Sequence, residues 1–379
     1  MEALAERVSV PSMENLVAWM QRKAIDLCVV GEEQYLAAGL ADLCRAAGIP
    51  AWGPGQSAAR LESSKLFAKD FLFRHGIPTG WARESTSAED LRAAVGSYPA
   101  VVKFDGLAAG KGVSVCLGES DLEDFIDRAM VRQTFGPGRV FVEQYLDGPE
   151  VSVICAVSDD GYQIFPAARD YKRQLDGDRG PNTGGMGAVA SGSLLDVGVR
   201  GLIESEILPA TMNAIKSDGL DYRGFLYFGL ILTSEGPKVL EFNCRFGDPE
   251  AQAVLPLVRG DFAAYLLAAA GGHIDQDLLS FADGWSVAVV MASKDYPRKS
   301  GRGEAIVGLD EVVGAEIFHS GTSRDSSDGY IVDGGRVLSV VGQGNAREKA
   351  RDSAFRALAS VKFDGSQYRK DIGTLHFDE

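Results

Sequence analysis

Histidine is scarce, with His75, His273, His319 and His376 the only four in 379 residues. None stands at metal-ligand spacing from another, and none lies near a serine or cysteine motif. A Ser-His-Asp hydrolase and a histidine-rich metalloenzyme are therefore disfavoured. Cysteine is also sparse. Cys28, Cys44, Cys116, Cys155 and Cys244 lie far apart with no C-x-x-C pair. Such an odd, scattered set argues against a zinc ribbon or disulfide framework and fits a reducing, cytoplasmic setting. No 18-residue apolar run occurs, so no helical membrane span is expected. The first 13 residues hold acids and no apolar core, so they do not read as a signal peptide. Basic residues are outnumbered: 38 Lys and Arg against 53 Asp and Glu leave a net charge of −15. Broad nucleic-acid binding needs a basic face and is disfavoured; a small anion would need a local basic pocket. No G-x-G-x-x-G follows a strand, so a dinucleotide dehydrogenase is unsupported.

Glycine is what the chain has in excess: 45 of 379 residues, about 12%, against a typical 7%. It shows no period, which places it in turns and loops. The length suits two to four compact units. The expected fold is α/β with several domains. A parallel α/β unit covers residues 1–61. A two-lobed core covers 62–284, its smaller lobe at about 82–150. A small β-rich α/β unit covers 285–379, where short strands precede one amphipathic helix. Residues 166–192 read as one long charged, glycine-bearing loop, and 224–232 with 237–246 as a strand hairpin.

Four segments suggest chemistry. On the strand through residues 238–246, Leu240, Phe242 and Cys244 are expected to face the core. Glu241, Asn243 and Arg245 then share the other face. A carboxylate and an amide oxygen suit Mg²⁺, and the arginine suits phosphate oxygens; a solvated strand face with a surface ion pair is the other reading. Asp248 follows in a sharp Gly247-Asp248-Pro249 turn. In the second segment, Gly106, Gly110, Lys111 and Gly112 lie between two strands. The spacing and flanks differ from a Walker A loop. The segment reads as a flap whose N–H groups close over phosphates, with Lys103 adding a charge, or as an ordinary glycine hairpin. In the third, main-chain groups from Glu143 through Tyr145 to Leu146 suit an adenine edge, and Glu150 suits ribose hydroxyls unless it is simply exposed. The fourth holds Arg169, Asp170, Tyr171, Lys172 and Arg173, then Asn182, Thr183, Gly184, Gly185 and Met186. It suits a small phosphate or carboxylate substrate, or is a solvated loop.

In this order the four segments resemble the ATP-grasp superfamily, and within it the phosphoribosylamine–glycine ligase family. The matching stretches include Ser64-Lys65-Leu66-Phe67-Ala68-Lys69 and Asp105 through Val113. They also include Gly180 through Gly187 and Arg245-Phe246-Gly247-Asp248-Pro249-Glu250-Ala251-Gln252. The resemblance implies a ligase that uses ATP with Mg²⁺ or Mn²⁺ to join glycine to 5-phosphoribosylamine through a glycyl phosphate, in purine biosynthesis. It implies Lys65 and Lys103 on ATP phosphates under the 106–112 flap, and adenine at 143–146 with ribose at Glu150. Metal falls to Glu241 and Asn243, and the transferred phosphoryl to Arg245, with Lys103 and Asp248 also catalytic. Asp170, Lys172, Arg173 and residues 182–187 face the other substrates. A monomer acting on small molecules, away from nucleic acid and membrane, is expected.

The sequence also departs from the family pattern. Arg169 and Tyr171 stand where the family has Gln and His, and Gly31-Glu32-Glu33 replaces Gly-Pro-Glu. No acid occupies the strand before Glu241, and the family's opening strand with its Gly-Gly-Arg-Glu-His turn is missing. These departures keep two alternatives open: an ATP-binding but inactive form lacking roughly 30 or more residues of a first βαβ unit, or a ligase for a different carboxylic acid.

Overall fold

The computed structural model describes residues 6–108 and 111–374. Gly110 in the flap and His376 lie outside the described residues. Near the amino terminus, β1 (Cys28–Val29) and β2 (Ala51–Trp52) pair in parallel. Gly39, with a φ of +86°, separates helices Glu33–Ala37 and Leu40–Ala46. The helix Lys65–Arg74 starts where Ser64 Oγ accepts from Phe67 N at 3.2 Å, which satisfies one of the free N–H groups of its first turn.

Next comes a four-stranded antiparallel sheet of β3 (Ala82–Ser85), β4 (Ala100–Asp105), β5 (Val113–Cys116) and β6 (Arg139–Glu143), in the order β3-β6-β4-β5. It has its own core, with Leu91, Val102, Phe104, Phe125, Val140 and Val142 all buried. The flap is the turn of the β4–β5 hairpin, where Lys103 pairs with Val113.

The remaining strands build mostly one large sheet. They are β7 (Glu150–Ser158), β8 (Gly161–Ile164), β9 (Ala167–Asp170), β10 (Arg173–Leu175), β11 (Arg179–Asn182), β12 (Gly187–Ser191), β13 (Gly224–Thr233), β14 (Gly236–Asn243), β15 (Val258–Gly260), β16 (Leu279–Phe281), β17 (Trp285–Ala292), β18 (Gly301–Ala305), β19 (Ala315–His319), β20 (Thr322–Arg324), β21 (Tyr330–Gly334) and β22 (Arg336–Gly344). The large sheet runs β14-β13-β7-β9-β12-β17-β22-β19, with β8 on β7. The carboxy-terminal strands thus continue the same sheet through five paired positions between β12 and β17, from Gly187–Val289 to Ser191–Trp285. Helix Arg347–Leu358 packs with Val287, Val289, Leu338 and Val340 in a core that also takes in Tyr171, Val189 and Leu194.

Two local expectations are corrected. Residues 166–192 are not one loop but hold β9 to β12, and β10 pairs with β11 as a small hairpin. Glycine and charge hide the alternation there, because neighbouring strands rather than a solvent face set the pattern. In β14 the register slips: Gly229 opposes Glu241 while Leu230 opposes Val239. Leu240 is the extra residue of a bulge. Val239 takes the fully buried position expected for Leu240, and Phe242 and Cys244 face the core as expected.

Candidate functional site

The cleft lies between the four-stranded sheet and the large sheet. On the upper side, Lys65 in the first turn of its helix donates to Gly106 O at 2.8 Å. This ties the helix to the base of the flap. Asp105 does the same from the other direction: its Oδ1 accepts from Ser64 Oγ at 3.0 Å and from Leu66 N at 3.1 Å, while Arg139 Nη2 reaches Oδ2 at 2.8 Å. Phe104 N donates to Gly112 O at 2.7 Å and closes the hairpin. Lys111 is exposed on the flap. Burial pulls the Lys65 ammonium below its usual pKa, opposed by the nearby Glu241 carboxylate.

Below the flap, Lys103 and Glu143 are both buried and form an ion pair. Lys69 pairs with the other Glu143 oxygen. The Glu143 carboxylate is therefore occupied by both ammonium groups. Glu150 Oε2 accepts from Lys172 Nζ at 2.5 Å, and that ammonium depresses the Glu150 pKa. Lys172 also lies 4.0 Å from Asp170, whose carboxyl is pushed up to about 7, chiefly by burial.

On the lower side, Glu241 and Asn243 are half-buried on β14. Gly229 opposes Glu241, and a side chain there would meet Glu241 Cγ at 3.0 Å. Glu241 is close enough to Lys65, Glu62, Asp170 and Lys172 to act on their protonation. Its carboxylate and the Asn243 amide are hard oxygen donors, a set that fits Mg²⁺ holding its remaining positions with phosphates and water. Among the described residues no cluster of three or more acid, histidine or cysteine side chains forms a complete protein cage. Beyond Glu241, Glu250 is buried and accepts from Ser152 Oγ at 3.2 Å.

Several expected residues are placed differently from expectation. Arg245 lies two residues past Asn243, where β14 ends, and is half-buried like Glu241 and Asn243. Its guanidinium pairs with Glu33 and Glu62, each at 3.0 Å, and donates to Phe246 O at 2.9 Å. It lines a cavity of about 90 Å³ with Val30, Gly31, Trp52 and Gly53. Burial lifts Glu62 to about 7, partly offset by Arg245. Asp248 is held rather than presented: Arg336 grips both its carboxylate oxygens, at 3.0 and 2.6 Å. Met186 is fully buried, since its N–H donates to Tyr171 O and its carbonyl accepts from Val290 N.

Tyr171 points away from the cleft, with its hydroxyl on Thr374 O at 2.6 Å and Arg369 over its ring. Arg169 lies over the same ring at 5.8 Å. The 182–187 segment is fixed by neighbours. Thr183 binds Lys172 O through both N and Oγ1, Arg173 reaches Gly180 O at 2.9 Å, and Gly184 N donates to Tyr296 Oη at 2.7 Å. Arg336 also donates to Gly184 O at 2.6 Å. Gly185 has a φ of +105°, and a Cβ there would stand 2.4 Å from Pro249 Cδ.

Lys69, Glu62, Asp105, Glu250, Tyr296 and Arg336 were not visible as site residues in the sequence. Lys69, Asp105 and Glu250 lie within the matching stretches, where no role was assigned to them, whereas Glu62, Tyr296 and Arg336 are brought in by the fold from distant parts of the chain.

Comparison with known proteins follows this geometry. Residues 1–62, 63–251 and 286–375 match the N domain, the ATP-grasp (A) domain and the C domain of phosphoribosylglycinamide synthetase. The chain is 42% identical over 376 residues to phosphoribosylamine–glycine ligase of Vibrio parahaemolyticus, covering 97% of this chain and 87% of that one. It is 40% identical to the human trifunctional purine biosynthetic protein adenosine-3, covering 97% of this chain and 37% of that one. The crystal structure of phosphoribosylamine–glycine ligase from Thermotoga maritima superposes with a TM-score of 0.77 at 35% identity, covering 85% of this chain and 81% of that one. A biotin carboxylase domain from Hydrogenobacter thermophilus, 19% identical, shares the fold at a TM-score of 0.72 over 95% of this chain and 81% of that one.

Proposed function

The chain belongs to the phosphoribosylglycinamide synthetase family, and on that premise we propose how its residues divide the work of an ATP-dependent ligase that joins glycine to 5-phosphoribosylamine. Lys65 and Lys103 neutralise ATP phosphates, and the flap covers them. The main chain at 143–146 receives adenine, and the ribose lies near Glu150. Glu241 and Asn243 hold Mg²⁺, which when bound screens the phosphate charge. Asp170, Lys172, Arg173 and the segment 182–186 face glycine and the ribosylamine.

The glycine carboxylate oxygen attacks the γ-phosphorus and ADP leaves. The ribosylamine nitrogen then attacks the glycyl carbonyl, loses a proton and expels phosphate. Such chemistry rests on positioning and charge neutralisation and needs no strong base. Arg245, tied to Glu33 and Glu62, steadies the transferred phosphoryl. Asp248 is a positioning group held by Arg336. We further propose a cytoplasmic monomer working on small molecules and not on nucleic acid; its five unpaired thiols and its net charge of −15 support this.

The observation that carries the reading is the meeting of Lys65, at the start of its helix, with Glu241 on the large sheet and Lys103 on the small one. The test is to incubate the chain with ATP, Mg²⁺, glycine and phosphoribosylamine and measure ADP. Release that depends on both other substrates is expected. A folded sample with no glycine-dependent ADP would overturn it.

A further inference from the structure

Lys69 sits on helix Lys65–Arg74, which belongs to the core shared with β14 through Phe71, Leu72 and Phe242. Its ammonium is buried and faces three groups. It pairs with Glu143 on β6, donates to Thr79 Oγ1 at 2.6 Å, and donates to Gly80 O at 3.3 Å. Thr79 in turn donates to Val239 O at 2.6 Å, two residues before Glu241. One ammonium thus joins the large-sheet body, the 78–80 connection and the strand that borders the nucleotide pocket. The same Glu143 carboxylate holds Lys103 through its other oxygen. Two buried lysines share one carboxylate, so the cluster keeps a net positive charge only while both are protonated.

We propose that Lys69 is a positioning residue for ATP: by sharing the Glu143 carboxylate it leaves Lys103 with charge to offer phosphate and fixes the hinge end of the small sheet. This rests on the assignment of the ATP site above. Burial brings the Lys69 ammonium down to about 8, with Glu143 opposing the fall and Lys103 adding to it. When Lys69 loses its proton, Glu143 neutralises Lys103 alone. The hold on phosphate should then weaken as the pH rises through about 8.

The test measures binding of the β,γ-imido analogue of ATP, with Mg²⁺, to wild type, Lys69→Met, Lys69→Arg and Lys103→Met between pH 6.5 and 9.5. Lys69→Met should weaken binding about tenfold or more and leave the KM for glycine within about twofold. Lys69→Arg keeps its charge throughout this range. It should retain most of the affinity and lose the fall near pH 8 seen in wild type. Unchanged binding in Lys69→Met beside weakened binding in Lys103→Met would overturn this inference alone. Unchanged binding in Lys103→Met would overturn the ATP site itself. If Lys69→Met fails to fold, the Lys69→Arg profile decides: a persisting fall near pH 8 refutes the proposal.

Discussion

Two carboxylates at the cleft have opposite work to do, and substitution separates them. Glu241 faces the cleft and makes no core contact, so Glu241→Ala should lower turnover about a thousandfold or more while the thermal midpoint stays within a degree or two of wild type. Parallel melting and ADP assays check this, and wild-type turnover would refute the metal assignment. Glu62 is buried against Arg245 and Cys244 N, and its carboxyl is raised to about 7. A folded pKa above the unfolded one means that its contribution is fully present below pH 4.5 and is lost as the pH rises through 7. The loss is about 3 kcal/mol. Glu62→Gln cannot ionise, so wild type should lose stability relative to that variant between pH 5 and 8. Urea titrations at each pH measure the difference. Glu241 was legible in the sequence because it lies on a strand beside a recognisable turn. Glu62 was not, since its role depends on Arg245 and Cys244 arriving from some 180 positions away.

At the scale of elements, the informative piece is the 182–187 segment against the 247–249 turn. Arg336 from the start of β22 and Tyr296 clamp them together. Arg336→Met removes the fork on Asp248 and the bond to Gly184 O. We expect the KM for glycine or the ribosylamine to rise about tenfold, a loss of 1–3 kcal/mol, with affinity for the ATP analogue unchanged. Lysine should not restore it, because it lacks the planar fork. Gly185→Ala meets both a left-handed backbone and Pro249, so it should cost about 1–3 kcal/mol, read as a lower urea midpoint. The sequence showed both glycine segments as candidates but not their contact. It also read four strands as one loop there, and placed Leu240 in the core where a bulge puts Val239. Alternation reports strands with one wet face. It is silent for short strands flanked by neighbours, and it shifts phase at a bulge.

At the scale of the whole molecule, the carboxy-terminal segment is stitched to the substrate side by one buried arginine. Arg369 pairs with Asp178 at 2.7 Å and with both oxygens of Asp371, and it donates to Arg173 O at 3.1 Å. Arg369→Met strands these acids and should cost about 3 kcal/mol, seen as a fall of about 5 °C or more in the thermal midpoint. The succession of helices and strands was readable along the chain, but the continuity of the large sheet was not, because strand neighbours are chosen in three dimensions. That continuity has a mechanical consequence. Glu241, Asn243, Asp170 and Arg336 ride on one hydrogen-bonded slab from β14 to β22, with Lys172 two residues past the end of β9, whereas Lys103 and the flap ride on the other sheet. A rotation about residues 78–80 would change the gap between Lys103 and Glu241 and leave the gap between Lys172 and Arg336 untouched. On the assignment proposed above, such a rotation acts like a vice with one fixed jaw: the end for glycine and ribosylamine stays preset and only the nucleotide end is adjusted.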